Sequence, residues 1–309
     1  RSLYRKQMKK QIVYILGLSH VGSTLVDLIL GNRPDHVGLG EIYQVIRPGA
    51  VIDYKKIYCS CGKLANTCKF WGHVSETLKE NQHKEIHEKY QLINTAFNDV
   101  FGPETILVDS SKLLRPLKIL LQNGSYGIKV IYIIRDVRAW TISRIDTRKN
   151  FPMYFTRHGN YIKRLKQHYG WKVELIKWFL PLLTRMSAYF FWIWYLQNKA
   201  YKDFLIRNRI RHIQIGYDEL GINKELIIPK IDEFLGGANF KRNFSTENSK
   251  SHILVGNVKK RDPKRRKDII YDNRWLYRQE WLLSAAIYRN VMNYNSAEVY
   301  RNVRENSIW

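Results

Sequence analysis

The most constraining stretch of this chain is a short apolar run, IVYIL at residues 12–16, which passes directly into GLSHVGST at 17–24 and then into LVDLILG. An apolar, β-branched run, a glycine-bounded loop and a helix-forming stretch predict strand, loop and helix in immediate succession. This is the layout of a phosphate-binding loop, whose free amides and helix N-terminus hold phosphate oxygens. Gly17 and Gly22 stand five apart, as in G-x-x-x-x-G-K-[ST], but Ser23 occupies the lysine position. That lysine normally reaches the β- and γ-phosphates, so its absence argues against an ordinary ATPase or GTPase. Gly22, Ser23 and Thr24 remain to cradle one phosphate. The competing reading is a plain glycine turn between strand and helix.

Further runs at 105–108, 129–134 and 212–215 are apolar, rich in Val and Ile, and read as buried parallel strands. Helices are expected at 23–30, 76–101, 113–122 and 138–145. Strands alternating with helices imply a three-layer α/β fold with a parallel sheet and a P-loop-like nucleotide site. Ligands in such folds sit at the carboxyl ends of the strands. With no internal repeat and no low-complexity linker, the simplest organisation is one domain over residues 1–309. It carries a cysteine-containing insert near 54–75 and an acceptor-pocket region near 150–200.

The 52 Lys and Arg against 27 Asp and Glu give a net charge of +25. That favours polyanions, among them nucleic acid, an anionic membrane, an acidic glycan and a multiply phosphorylated nucleotide. The strongest candidate for a membrane span, residues 178–196, contains Pro181 and Arg185 and reads instead as a buried aromatic helix. No secretory signal is visible, and a cytoplasmic location is expected. Cys59, Cys61 and Cys68 are too few for a secreted disulfide framework. Zinc would need His73 as a fourth ligand, at a spacing unlike the common C-x-x-C pairs; packing or a disulfide is the favoured reading, and no metal is expected.

The run at 129–134 ends in RDVRAWTIS, so Arg135 leaves a strand and Ser143 follows it by eight residues on a returning helix. A guanidinium fork binds two phosphate oxygens, and a hydroxyl two turns on reaches a third. The alternative makes Arg135 a surface ion-pair partner of Asp136 or Asp109. Together with the loop, this pair resembles the sulfotransferases that use 3′-phosphoadenosine 5′-phosphosulfate (PAPS). Their loop usually reads Arg or Lys before Ser-Gly-Thr-Thr. Some bacterial members, with a histidine before Gly-Ser-Thr-Leu, resemble HVGST more closely.

The resemblance implies that Ser19, His20, Val21, Gly22, Ser23 and Thr24 hold the 5′-phosphate, and that Arg135 and Ser143 hold the 3′-phosphate. Tyr217, in IQIGYDEL, is similar to the family's tyrosine near the nucleotide, though a core tyrosine fits as well. SHILVGNVKK, with His252, Gly256, Asn257 and Lys260, resembles the C-terminal nucleotide loop of related bacterial enzymes.

Sulfuryl transfer requires a base for the acceptor and cations for the charge spreading over the sulfuryl oxygens. Glu41 and Lys112 occupy places similar to a glutamate base and a sulfate-binding lysine in the tyrosylprotein branch. His20 is expected to donate a hydrogen bond to the bridging oxygen, with the opposite assignment making it the base. The predicted acceptor is a small molecule, suited to the ten aromatics between residues 171 and 201; an acidic glycan is the other candidate. A small-molecule kinase and a basic nucleic-acid-binding protein are the rival readings.

Overall fold

A computed structural model describes residues 10–122, 124–150, 186–236, 246, 249–257, 262 and 269–306. Five strands, β1 (Lys10–Gly17), β2 (His36–Gly38), β3 (Ile106–Lys112), β4 (Tyr126–Ile134) and β5 (His212–Gly216), form one parallel sheet in the order β2-β3-β1-β4-β5. The helices preceding β3 are α1 (Ser23–Leu30), α2 (Ile42–Ile46), α3 (Trp71–Glu80) and α4 (Ile86–Phe101). Next come α5 (Leu114–Gln122), α6 (Val137–Asn150), α7 (Met186–Arg207), α8 (Tyr217–Ile222) and α9 (Lys224–Leu235). The chain closes with α10 (Leu282–Ile287), α11 (Arg289–Val299) and α12 (Arg301–Asn306).

The sheet forms because its strands carry apolar side chains on both faces. Residues 12–16 of β1 are all buried, as are residues 130–134 of β4. Successive strand residues point to opposite faces, so this pattern requires cover on both, which the flanking helices supply. From the centre, the chain leaves β1 for the β2 edge, returns through β3, and crosses to β4 and β5. The topological switch point therefore lies beyond the carboxyl end of β1, where the glycine loop begins.

Several elements differ from expectation for identifiable reasons. The strand expected at 105–108 runs on to Lys112, so Ser110 and Ser111 belong to β3, and the Ser111 hydroxyl accepts from the Tyr43 amide in the first turn of α2. The edge strand β2 was not expected; three residues carry no periodic signal. The helix expected over 76–101 is two helices. Asn81 donates to the Thr77 carbonyl at the end of α3, and a reciprocal box between Glu85 and Glu88 starts α4. Both are side-chain devices that override a continuous apolar pattern.

The expected aromatic helix corresponds to α7, with residues 178–185 outside the described part. Phe190, Phe191 and Trp194 are buried core residues, Phe190 packing against Trp140 and Trp194 against Tyr294. Among the described residues, no helix is long and apolar enough to cross a membrane.

Candidate active site

Because every strand is parallel, all five carboxyl ends open on one edge of the sheet. Each end delivers a residue singled out from the sequence. Glu41 follows β2, Lys112 ends β3, the glycine loop follows β1, Arg135 follows β4 and Tyr217 follows β5. Strand spacing of about 4.8 Å sets roughly 19 Å between the outermost of these positions.

In the loop, Gly22 takes the left-handed conformation at φ 86°, and no side chain caps α1. A Cβ on Gly22 would lie 2.2 Å from the Tyr217 ring, so only glycine fits between loop and tyrosine. Val21 is buried in the core, which leaves its backbone as the part that faces the loop. Ser19 is exposed, and its carbonyl accepts from Trp140 Nε1 at 2.7 Å. Ser23 and Thr24 are buried in the first turn of α1.

Arg135 is buried and ties the loop to the β4 end. Nη1 donates to the His20 carbonyl at 2.6 Å, Nη2 donates to Asp272 Oδ2 at 2.5 Å, and the guanidinium lies 5.1 Å from the Tyr217 ring centroid. Its Nε has no hydrogen-bond partner among the described residues. Neither Asp136 nor Asp109 is its partner: Asp136 pairs with Arg138, and Asp109 accepts from Tyr90 and Ser111. Asp272 and Trp194, whose Nε1 donates to the Arg135 carbonyl, were both missed in the sequence. They lie 137 and 59 residues away from Arg135, with no motif to mark them.

Glu41 and Lys112 meet directly. Lys112 Nζ donates to Glu41 Oε1 at 2.6 Å, with both side chains only 12–13% exposed. Ser143 Oγ lies 3.1 Å from His20 Nδ1, so the hydroxyl of α6 bears on the loop histidine. Burial, helped by the positive charges of Arg144, Lys112 and Arg135, holds His20 down to about 4, and its ring is neutral at pH 7. Among the described residues three non-glycines have positive φ, and two of them are His20 (70°) and Lys112 (68°). Strain of this kind persists only where surrounding structure enforces it.

The C-terminal segment 249–257 closes the β2 side. Val255 accepts from the Glu41 amide at 3.1 Å, and the Asn257 amide donates to Thr24 Oγ1 at 3.2 Å. Gly256 packs against the Thr24 side chain, whereas Lys260 lies outside the described residues. Asp27, unremarked in the sequence, is the hub here. Its carboxylate accepts from the Gly40 amide and the Ser251 hydroxyl, and burial raises it to about 7.

His252 turns away from the loop. Its Nδ1 faces Cys59 and Cys68 Sγ at 3.9 and 3.2 Å, while His73 stands on α3, outside this group. No disulfide joins the three cysteines in the structure, and the histidine beside them is His252, where the sequence offered His73.

No protein-family model matches the chain, and no curated protein matches it in sequence. Its fold is nevertheless that of sulfotransferase domains. The sulfotransferase domain from the curacin biosynthetic pathway superposes with a TM-score of 0.53 at 15% identity, over 90% of this chain and 96% of that one. The sulfotransferase domain of the Synechococcus PCC 7002 olefin synthase gives 0.50 at 14% identity, over 96% and 98%. At such identity the likeness establishes the fold.

Proposed function

We propose that this protein transfers the sulfuryl group of PAPS to a hydroxyl or amine of a small-molecule acceptor. The observation that carries this reading is the order of groups along the strand ends: carboxylate, ammonium, phosphate loop, guanidinium, tyrosine. A donor laid across the edge would put its 5′-phosphosulfate at the loop and its 3′-phosphate toward Arg135 and Tyr217. The sulfuryl group would then face Lys112 and Glu41.

In this arrangement Glu41 takes the acceptor's proton as the acceptor oxygen or nitrogen bonds to sulfur. The bond from sulfur to the bridging oxygen breaks, and its electron pair leaves on the 5′-phosphate. Lys112 leaves its resting pair with Glu41 to meet the negative charge on the sulfuryl oxygens, and loop amides meet the charge on the leaving phosphate. His20 serves the bridging oxygen. If the Ser143 hydroxyl donates to Nδ1, the proton of the neutral ring sits on Nε2 and can be donated. The opposite tautomer would present a lone pair at Nε2 and make His20 a base, so the two roles exclude each other.

Thermal stabilisation tests the donor class. Adenosine 3′,5′-bisphosphate in Mg²⁺-free buffer should stabilise the protein, by about 2.7 kcal/mol at a hundredfold excess over Kd. Stabilisation by ATP only with Mg²⁺, and none by the bisphosphate, would instead favour the kinase reading.

A further inference from the structure

The insert between β2 and α3 brings three sulfurs and one imidazole together at a place the transfer chemistry does not use. The sulfurs of Cys59, Cys61 and Cys68 and a ring nitrogen of His252 all lie within 4.8 Å of one another. Around a tetrahedral zinc ion, with Zn–S near 2.3 Å and Zn–N near 2.0 Å, ligand atoms stand roughly 3.5–3.8 Å apart. The two distances from His252 Nδ1, 3.2 and 3.9 Å, bracket that spacing.

The surrounding backbone holds these groups together without a metal's help. Ser60, between the first two cysteines, clamps both flanks of His252. Its hydroxyl donates to the Ser251 carbonyl at 2.6 Å and accepts from the Ile253 amide at 2.7 Å, and its amide donates to the Ile253 carbonyl at 2.9 Å. The His252 carbonyl accepts from Trp71 Nε1, and its amide donates to the Gly38 carbonyl. The chain then turns back tightly. Gly62, at φ 86°, donates to the Cys59 carbonyl, and the Cys59 amide donates to that of Lys63.

We infer that Cys59, Cys61, Cys68 and His252 form a structural zinc site that rivets the C-terminal segment to the insert. Three thiolates and one neutral imidazole complete a tetrahedron and leave no open position, the arrangement of structural rather than catalytic zinc. Binding releases to solvent whatever protons the three thiols and the imidazole ligand nitrogen hold, and leaves a net charge of −1 on the filled site. Cys59 and Cys68 are buried while Cys61 is exposed, which gives the ion a route in. From His252 the same segment runs on to Val255, which holds the Glu41 amide, and to Asn257, which holds Thr24. The ion thus steadies both ends of the β2-side closure.

Metal analysis tests this independently of any nucleotide. Protein purified under reducing conditions should carry about one zinc per chain, with X-ray absorption showing three sulfur neighbours and one nitrogen. Cobalt in place of zinc should give the intense visible bands of a tetrahedral thiolate site, and Cys68→Ser and His252→Ala should each weaken or abolish them. Because such variants can fail to fold, the absorption measurement on the unaltered protein decides. The inference is overturned if the reduced protein binds neither zinc nor cobalt stoichiometrically. It is equally overturned by a shell without three sulfurs, or by peptide mapping that finds two of these cysteines joined in a disulfide.

Discussion

Glu41 and Lys112 rest against each other as an ion pair at 2.6 Å. Removing either therefore does two things: it deletes a catalytic group and releases its partner. Glu41→Gln keeps a hydrogen-bond acceptor for Lys112, so it isolates the proton-transfer role. It should leave affinity for adenosine 3′,5′-bisphosphate unchanged and lower turnover by roughly 10²–10⁴, the usual range for loss of a general base. The same experiment assigns His20. Its folded pKa of about 4 lies below the ordinary 6.5, so the ring stays neutral as pH falls until about that value. With His20 as a neutral donor, kcat/KM has no inflection from it between pH 5 and 8. Near-normal turnover in Glu41→Gln, together with a pH dependence that follows a single group and disappears in His20→Ala, would make the imidazole the base.

At the scale of elements, the strand–loop–helix unit was legible because each of its parts carries its own local signal. An apolar run, two glycines and a buried eight-residue helix need no distant partner to be recognised. The same holds for Arg135, which sits directly after an apolar strand. What the sequence hid depends on contacts across the fold. Asp272 balances Arg135, Asp27 joins α1 to both Gly40 and Ser251, and His252 reaches cysteines nearly two hundred residues earlier. The break between α3 and α4 was hidden for a different reason, since capping side chains overrule an unbroken apolar pattern. The loop's fit to its neighbour makes a sharp test. Gly22→Ala adds a methyl at φ 86°, where it meets the Tyr217 ring at 2.2 Å. It should weaken bisphosphate binding at least tenfold while the sheet, which does not use this contact, keeps its far-ultraviolet circular dichroism. Unchanged affinity would mean that this loop does not hold the nucleotide.

At the scale of the whole molecule, a net charge of +25 attracts any polyanion, so binding of a nucleotide or an oligonucleotide is not by itself informative. The two differ in where the attraction arises. An oligonucleotide lies on surface lysines and arginines and releases counterions as it binds, so its affinity falls steeply and log-linearly with salt. The bisphosphate, bound as proposed, is held by loop amides and by Arg135, which is only 5% exposed. Charges in such a setting are screened far less than exposed ones. Titrations from about 50 to 200 mM salt should therefore cost an oligonucleotide making several phosphate contacts about 10³-fold or more. Over the same range the bisphosphate should lose much less, and Arg135→Ala should remove most of its salt-resistant part. If the two ligands instead fall with equal slopes, the bisphosphate is bound by the general surface field. An oligonucleotide that keeps its affinity at high salt would go further and make nucleic acid the partner this basic chain is built to hold.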